Sequence, residues 1–154
     1  MTETSQGDIT PAGIGYRDLP KEIEPASSKI WASLEDKAWE VREKAHIYNK
    51  TKVGAALLDK RDHVYGGCNV EQRFRSHDIH AEVNAIGSMV AEGGQTLVAI
   101  LVVSDKTLFT PCGACMDWIL QFGGDRCLVG YQSAKGAGIA VYEARELMPF
   151  YPRS

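Results

Sequence analysis

Two short clusters in this chain carry residue types that do chemistry: His80-Ala81-Glu82 and Pro111-Cys112-Gly113-Ala114-Cys115. An imidazole and two thiols suit zinc, which favours nitrogen and sulfur donors in a tetrahedron. Three protein donors, His80, Cys112 and Cys115, leave one corner for water, the arrangement of a catalytic ion. Glu82 brings a carboxylate to the same place. A structural zinc site is the plainer alternative, but it normally takes four protein ligands, and no other Cys or His stands at metal spacing. A redox Cys-x-x-Cys pair is a second alternative, and it leaves His80 and Glu82 without a role.

Each cluster precedes an apolar pattern of helical period. Glu82, Ile86 and Met89 recur at i, i+4, i+7, and Cys112, Cys115, Ile119 and Phe122 share a face in the same way. Both clusters are therefore expected at helix N-termini, where free N–H groups and the macrodipole favour negative charge. That setting lowers thiol pKa and readies the cysteines for a metal.

H-x-E followed by P-C-x-x-C resembles the signature of the zinc-dependent nucleobase deaminases. Val53-Gly54-Ala55-Ala56-Leu57-Leu58, Gly67-Cys68-Asn69-Val70-Glu71 and Glu146-Leu147-Met148-Pro149 resemble segments of small cytidine deaminases. The similarity runs from about Ala45 to the C-terminus. It implies hydrolytic conversion of cytidine, deoxycytidine or a close analogue to the uridine form, with release of ammonia. Zinc is the implied cofactor; it lowers the pKa of bound water to about 7, which makes hydroxide available. Glu82 is implied as the carboxylate that shuttles protons to the ring nitrogen and the departing amine. Asn69 and Glu71 occupy the N-x-E positions implied to bind ribose hydroxyls; capping their own loop is the alternative. The Ala81 backbone N–H is implied to face the pyrimidine carbonyl. A cytoplasmic enzyme of pyrimidine salvage follows, as a homotetramer whose subunits share pockets, with a dimer as the alternative.

Some positions depart from that pattern. His80 stands where the small tetrameric enzymes usually carry cysteine, which makes the ligand set less negative and the metal a stronger Lewis acid. Thr51 replaces a frequent Phe, Met116-Asp117 replaces Arg-Gln, and Phe150-Tyr151 shifts the terminal aromatic pattern. These changes in the pocket walls point to a rival reading, a deaminase of a nucleoside antibiotic of the blasticidin-S type or of another aminated heterocycle. Deoxycytidylate deaminase is a further rival and needs a phosphate site, for which Arg73 and Arg75 are the candidates. From another class, the rival is a non-catalytic zinc-bound interaction module.

Composition bounds these readings. The chain has 154 residues, 44% of them hydrophobic, which suits one domain with a real core. The net charge of -3 and the lack of a Lys/Arg run argue against a nucleic-acid partner. No stretch reaches the roughly 18 apolar residues of a membrane helix. Residues 1–10 are polar and acidic and do not read as a secretory signal. Cys68 and Cys127 sit in apolar runs and are expected as small buried hydrophobes rather than disulfide partners.

Residues 1–26 are expected as a loosely docked arm and 27–154 as the catalytic domain. Ser27 and Ser28 offer an N-cap to a helix whose stripe is Ile30, Leu34, Ala38, Val41 and Ala45. Residues 52–59 and 63–69 read as a hairpin, in which Gly66 and Gly67 mark a bulge or a close backbone approach. A helix from His80 to Gly93, a continuously apolar strand at 96–103, the cysteine helix, and strands at 127–131 and 139–142 follow. The order predicts an α/β fold, a three-layer α-β-α sandwich with a five-stranded mixed sheet and right-handed crossovers.

Overall fold

The computed structural model of the chain describes residues 22–107 and 109–153. The elements run β1 (Glu22–Glu24), α1 (Lys29–Arg42), β2 (Gly54–Asp59), β3 (Val64–Cys68), α2 (Ala81–Ala91), β4 (Leu97–Val103), α3 (Gly113–Gly123), β5 (Leu128–Gln132), β6 (Ile139–Glu143) and α4 (Ala144–Leu147). The strands form one mixed sheet in the order β1-β6-β5-β4-β2-β3, in which only β4 and β5 pair in parallel.

The sheet has six strands rather than the expected five. The added strand comes from the end of the expected arm, where Glu22–Glu24 pairs antiparallel with β6. Its charged, three-residue sequence carries no strand period, so tertiary pairing and not local pattern places it. The rest of that arm, residues 1–21, lies outside the described residues.

Alternation along the central strands builds two cores. Ala55, Leu57, Ile100 and Val102 face α2 and α3 on one side, and Ala56, Ala99, Leu101 and Val103 face α1 on the other. Strand β4 is apolar throughout because both of its faces are covered. The α1 stripe is rotated from expectation: Trp31, Leu34 and Ala38 are buried, whereas Ile30 is only partly so. Gly130 explains the shift. A Cβ there would come within 2.8 Å of the Trp31 ring, so its absence makes room for the indole. The indole N–H donates to Glu24 at 3.2 Å. Ser28 holds the N-cap backbone conformation, but its hydroxyl makes no cap bond.

Gly66 and Gly67 are close-approach residues, not a bulge; the β2–β3 register is unbroken across them. The register does shift on the other side of β2, at Leu58/Asp59. A Cβ on Gly67 would lie 2.3 Å from the Ala85 nitrogen and 2.6 Å from the Ala81 carbonyl oxygen, both backbone atoms of α2. This contact seats α2 directly on β3. Gly67→Ala is expected to lower the unfolding free energy in urea by about 3 kcal/mol, the upper range for overpacking. Gly87→Ala, where a Cβ meets nothing within 4 Å, is the control and should stabilise by about 0.5–1 kcal/mol. Equal effects of the two would show that α2 is free to move off the sheet.

Candidate metal centre and adjoining cavity

The sheet topology collects the polar residues at one end. Gly54 pairs with both Cys68 and Val103, so the start of β2 lies beside the ends of β3 and β4. Residues 51–53, 69–71 and the segment after β4 therefore converge. Helix α2 begins after β3 and α3 after β4, so both present their N-termini here, at the carboxyl end of the sheet where α/β folds bind ligands.

His80 is the N-cap of α2 and Cys112 the N-cap of α3, each with extended backbone (ψ 156° and 170°). Neither side chain caps its own helix; both turn into the gap between the helices. Cys115, one turn into α3, completes the group. The ligand atoms of His80, Cys112 and Cys115 lie within 4.8 Å of one another. His80 Nδ1 stands 3.4 Å from the Cys115 sulfur and 3.5 Å from the Cys112 sulfur. Zinc with bonds of about 2.0 Å to nitrogen and 2.3 Å to sulfur, at a tetrahedral angle, sets nitrogen and sulfur about 3.5 Å apart. The donor set thus fits zinc by type and spacing, through Nδ1 of the imidazole, and it is one ligand short of a closed structural site. All four cysteines are free thiols, with Cys127 buried and Cys68 partly so.

Glu82 is buried in the first turn of α2. Burial pushes its carboxyl above the usual range, opposed by its own backbone N–H, by His80 and by the Cys115 thiol. Burial, with the neighbouring Glu82 and Cys112, also pushes the Cys115 thiol upward. A bound cation reverses that tendency, since a coordinating thiol loses its proton outright. Asn84 donates to the Cys68 carbonyl at 2.9 Å and ties α2 to the end of β3.

A cavity of about 340 Å³ opens beside this cluster, within the range of small-molecule sites. Asn69, Glu71, Ala81 and Glu82, all expected at the site, line it with His80 and Cys112. Ala81 is the first residue of α2, where a backbone N–H has no partner within the helix. Thr51, the position of a departure noted above, is also in the wall. Met116 is instead a core residue, and Asp117 accepts a hydrogen bond from the Tyr151 hydroxyl. His77 and Arg73 are exposed and do not line the cavity, whereas Arg75 does. The sequence reading missed Phe109 and Thr110, which also line it. An aromatic two positions before Pro111 was the available signal, but aromatics are mostly core residues.

Asn69 and Glu71 also organise the wall. The Asn69 side chain accepts from the Val53 N–H at 2.8 Å and donates to the Thr51 carbonyl at 3.0 Å. One Glu71 oxygen accepts from the Tyr48 and Asn49 N–H groups at 2.6 and 3.0 Å, and the other from Arg75 at 3.3 Å. Burial alone would raise the Glu71 carboxyl, but the Asn49 and Tyr48 N–H groups and Arg75 outweigh it and hold it below its ordinary value of 4.5.

The cytidine and deoxycytidylate deaminase zinc-binding region matches residues 31–131. A cytidine deaminase of Sporosarcina psychrophila is 37% identical over 97 residues, covering 62% of this chain and 71% of that protein. A blasticidin-S deaminase of Bacillus cereus is 30% identical over 125 residues, covering 75% and 79%. The crystal structure of a Burkholderia pseudomallei cytidine deaminase superposes with a TM-score of 0.70 at 32% identity, covering 77% and 96%.

Glu71 ties this wall to the acid stability of the fold. A carboxyl whose folded pKa is depressed stabilises the fold above its unfolded value and loses that contribution as pH falls through the folded one. Stability in urea is therefore expected to drop below about pH 4.5. Glu71→Gln should flatten that part of the profile; an unchanged acid limb would mean other groups carry it.

Proposed function

Since the chain belongs to the cytidine and deoxycytidylate deaminase family, we propose that it is a zinc-dependent hydrolytic deaminase of cytidine, deoxycytidine or a close cytosine-nucleoside analogue. Water and the nucleoside give the uridine form and ammonia. The observation that carries this reading is the spacing of His80 Nδ1 from two thiol sulfurs, with a buried carboxyl, Glu82, two residues past the histidine. His80, Cys112 and Cys115 would hold the ion, and zinc held there would supply a Lewis acid that lowers the pKa of water toward neutrality.

Glu82 takes one proton from the attacking water and passes it to the ring nitrogen. It then takes the remaining hydroxyl proton and gives it to the amine, so that the C–N bond breaks as the C=O bond forms and ammonia leaves. A carboxyl whose pKa is raised by burial suits this two-way role. The Ala81 N–H, at the positive end of α2, faces the pyrimidine carbonyl. Asn69 and Glu71 present the sugar side of the wall, with the donor and acceptor capacity left after their backbone bonds. The family resemblance favours a homo-oligomer, a tetramer over a dimer, and the exposed Tyr48, Phe74, Trp118 and Phe150 are candidates for its contacts. No helix among the described residues is long and apolar enough to cross a membrane.

A second reading, deamination of a nucleoside antibiotic of the blasticidin-S type, is favoured by Thr51 in the cavity wall and by the Bacillus cereus relative. Ammonia release from zinc-loaded protein decides between them, tested on cytidine, deoxycytidine, deoxycytidylate, cytosine and blasticidin S. Cytidine is expected to turn over; an inert cytidine beside an active blasticidin S would give the second reading precedence. Glu82→Gln should keep stoichiometric zinc by elemental analysis and lose turnover by about 10²–10⁴-fold. Loss of the metal in that variant would assign Glu82 a binding role instead.

A further inference from the structure

With Asn69 and Glu71 taking the sugar, as proposed above, a nucleoside brings its sugar to the part of the cavity lined by Glu71. Besides His80, Cys112 and Glu82, the charged residues lining the cavity are Glu71, Arg75 and Asp78. Arg75 is the one Lys or Arg lining it among the described residues. An arginine at a sugar-side wall is the usual means of holding a phosphate. Here the guanidinium charge is already paired with two carboxylates. Its Nε donates to one Asp78 oxygen at 2.6 Å and a terminal nitrogen to Glu71 at 3.3 Å.

The loop is built to keep it so. The Val70–Ile79 bridge closes its neck with two N–H···O bonds of 2.8 and 2.9 Å. The second Asp78 oxygen accepts from the Gln72 N–H at 2.7 Å, which fixes the carboxylate in place. Arg75 itself has a φ of 64°, in the left-handed region that a bulky residue rarely adopts. Such a conformation persists where its surroundings over-determine it. Two carboxylates around one guanidinium leave the group with a net negative charge. An entering phosphate would have to compete with Asp78 and Glu71 for the charge of Arg75 and meet both carboxylates as like charges. A sugar hydroxyl does neither.

On the deaminase reading above, we propose that Asp78, with Glu71, locks Arg75 and so makes the cavity selective for nucleosides over their phosphorylated counterparts. Asp78 is thus a specificity-determining residue that acts through Arg75. Asp78→Asn is the direct test, because the amide oxygen can still accept from Gln72 while the charge on Arg75 is released.

The measurement is kcat/KM of the zinc-loaded enzyme on cytidine and on cytidine 5′-monophosphate at fixed low salt. The wild type is expected to prefer cytidine by about 100-fold or more, the scale of an unfavourable charge juxtaposition. Asp78→Asn should narrow that preference by about tenfold, the scale of one charge-assisted hydrogen bond, through KM of the phosphate. Adding Arg75→Gln to it should restore the preference. Should Asp78→Asn fail to fold, Arg75→Gln alone should widen the preference. Equal wild-type use of both substrates, or a ratio that neither variant moves, overturns the lock and leaves the deaminase standing. An enzyme inert on every amino-heterocycle overturns both.

Discussion

The structure depends on two helix N-termini held side by side at one end of a sheet. His80 and Cys112 are both N-caps, yet neither caps its own helix. Each gives up the local hydrogen bond that such a position normally makes and turns toward the other helix instead. Three donors then converge within 4.8 Å, although they come from segments more than thirty residues apart in the chain. That convergence is only as good as the seating of the helices. For α2 the seat is Gly67, where strand and helix backbones touch without a side chain between them. The bond from Asn84 to Cys68 fixes the remaining freedom along the strand.

The cavity wall follows the same economy of parts. Asn69 and Glu71 hold the Thr51–Val53 and Tyr48–Asn49 backbones while lining the cavity. A buried amide or carboxylate with an unmade bond is costly, and here the bonds come from a segment that has no regular structure of its own. The two readings of these residues, loop cap and sugar contact, are therefore compatible. The first is a geometric fact, and it pre-sets the side-chain positions that the second requires.

Much of this was legible in the sequence because its determinants are local. The H-x-E and P-C-x-x-C spacings, the apolar run of β4 and the helical periods of α2 and α3 each sit in one short window. What escaped was set by distant neighbours. Trp31 rather than Ile30 faces the core because Gly130, a hundred residues away, leaves a hollow for it. Glu22–Glu24 reads as polar arm and becomes a strand only because β6 offers an edge. The Nδ1 face of His80 and the partners of Arg75 depend on side-chain directions that spacing alone does not encode.

The short first strand also bears on how the sheet meets its surroundings. Without it, β6 would show solvent a row of unmet N–H and C=O groups, a template on which another chain can extend the ladder. In its place stands a strand of three residues, with carboxylates on both sides of an exposed Ile23. An approaching strand finds few hydrogen bonds to make there and pairs of like charges to overcome. That margin of the molecule is thereby guarded against fibrillar stacking.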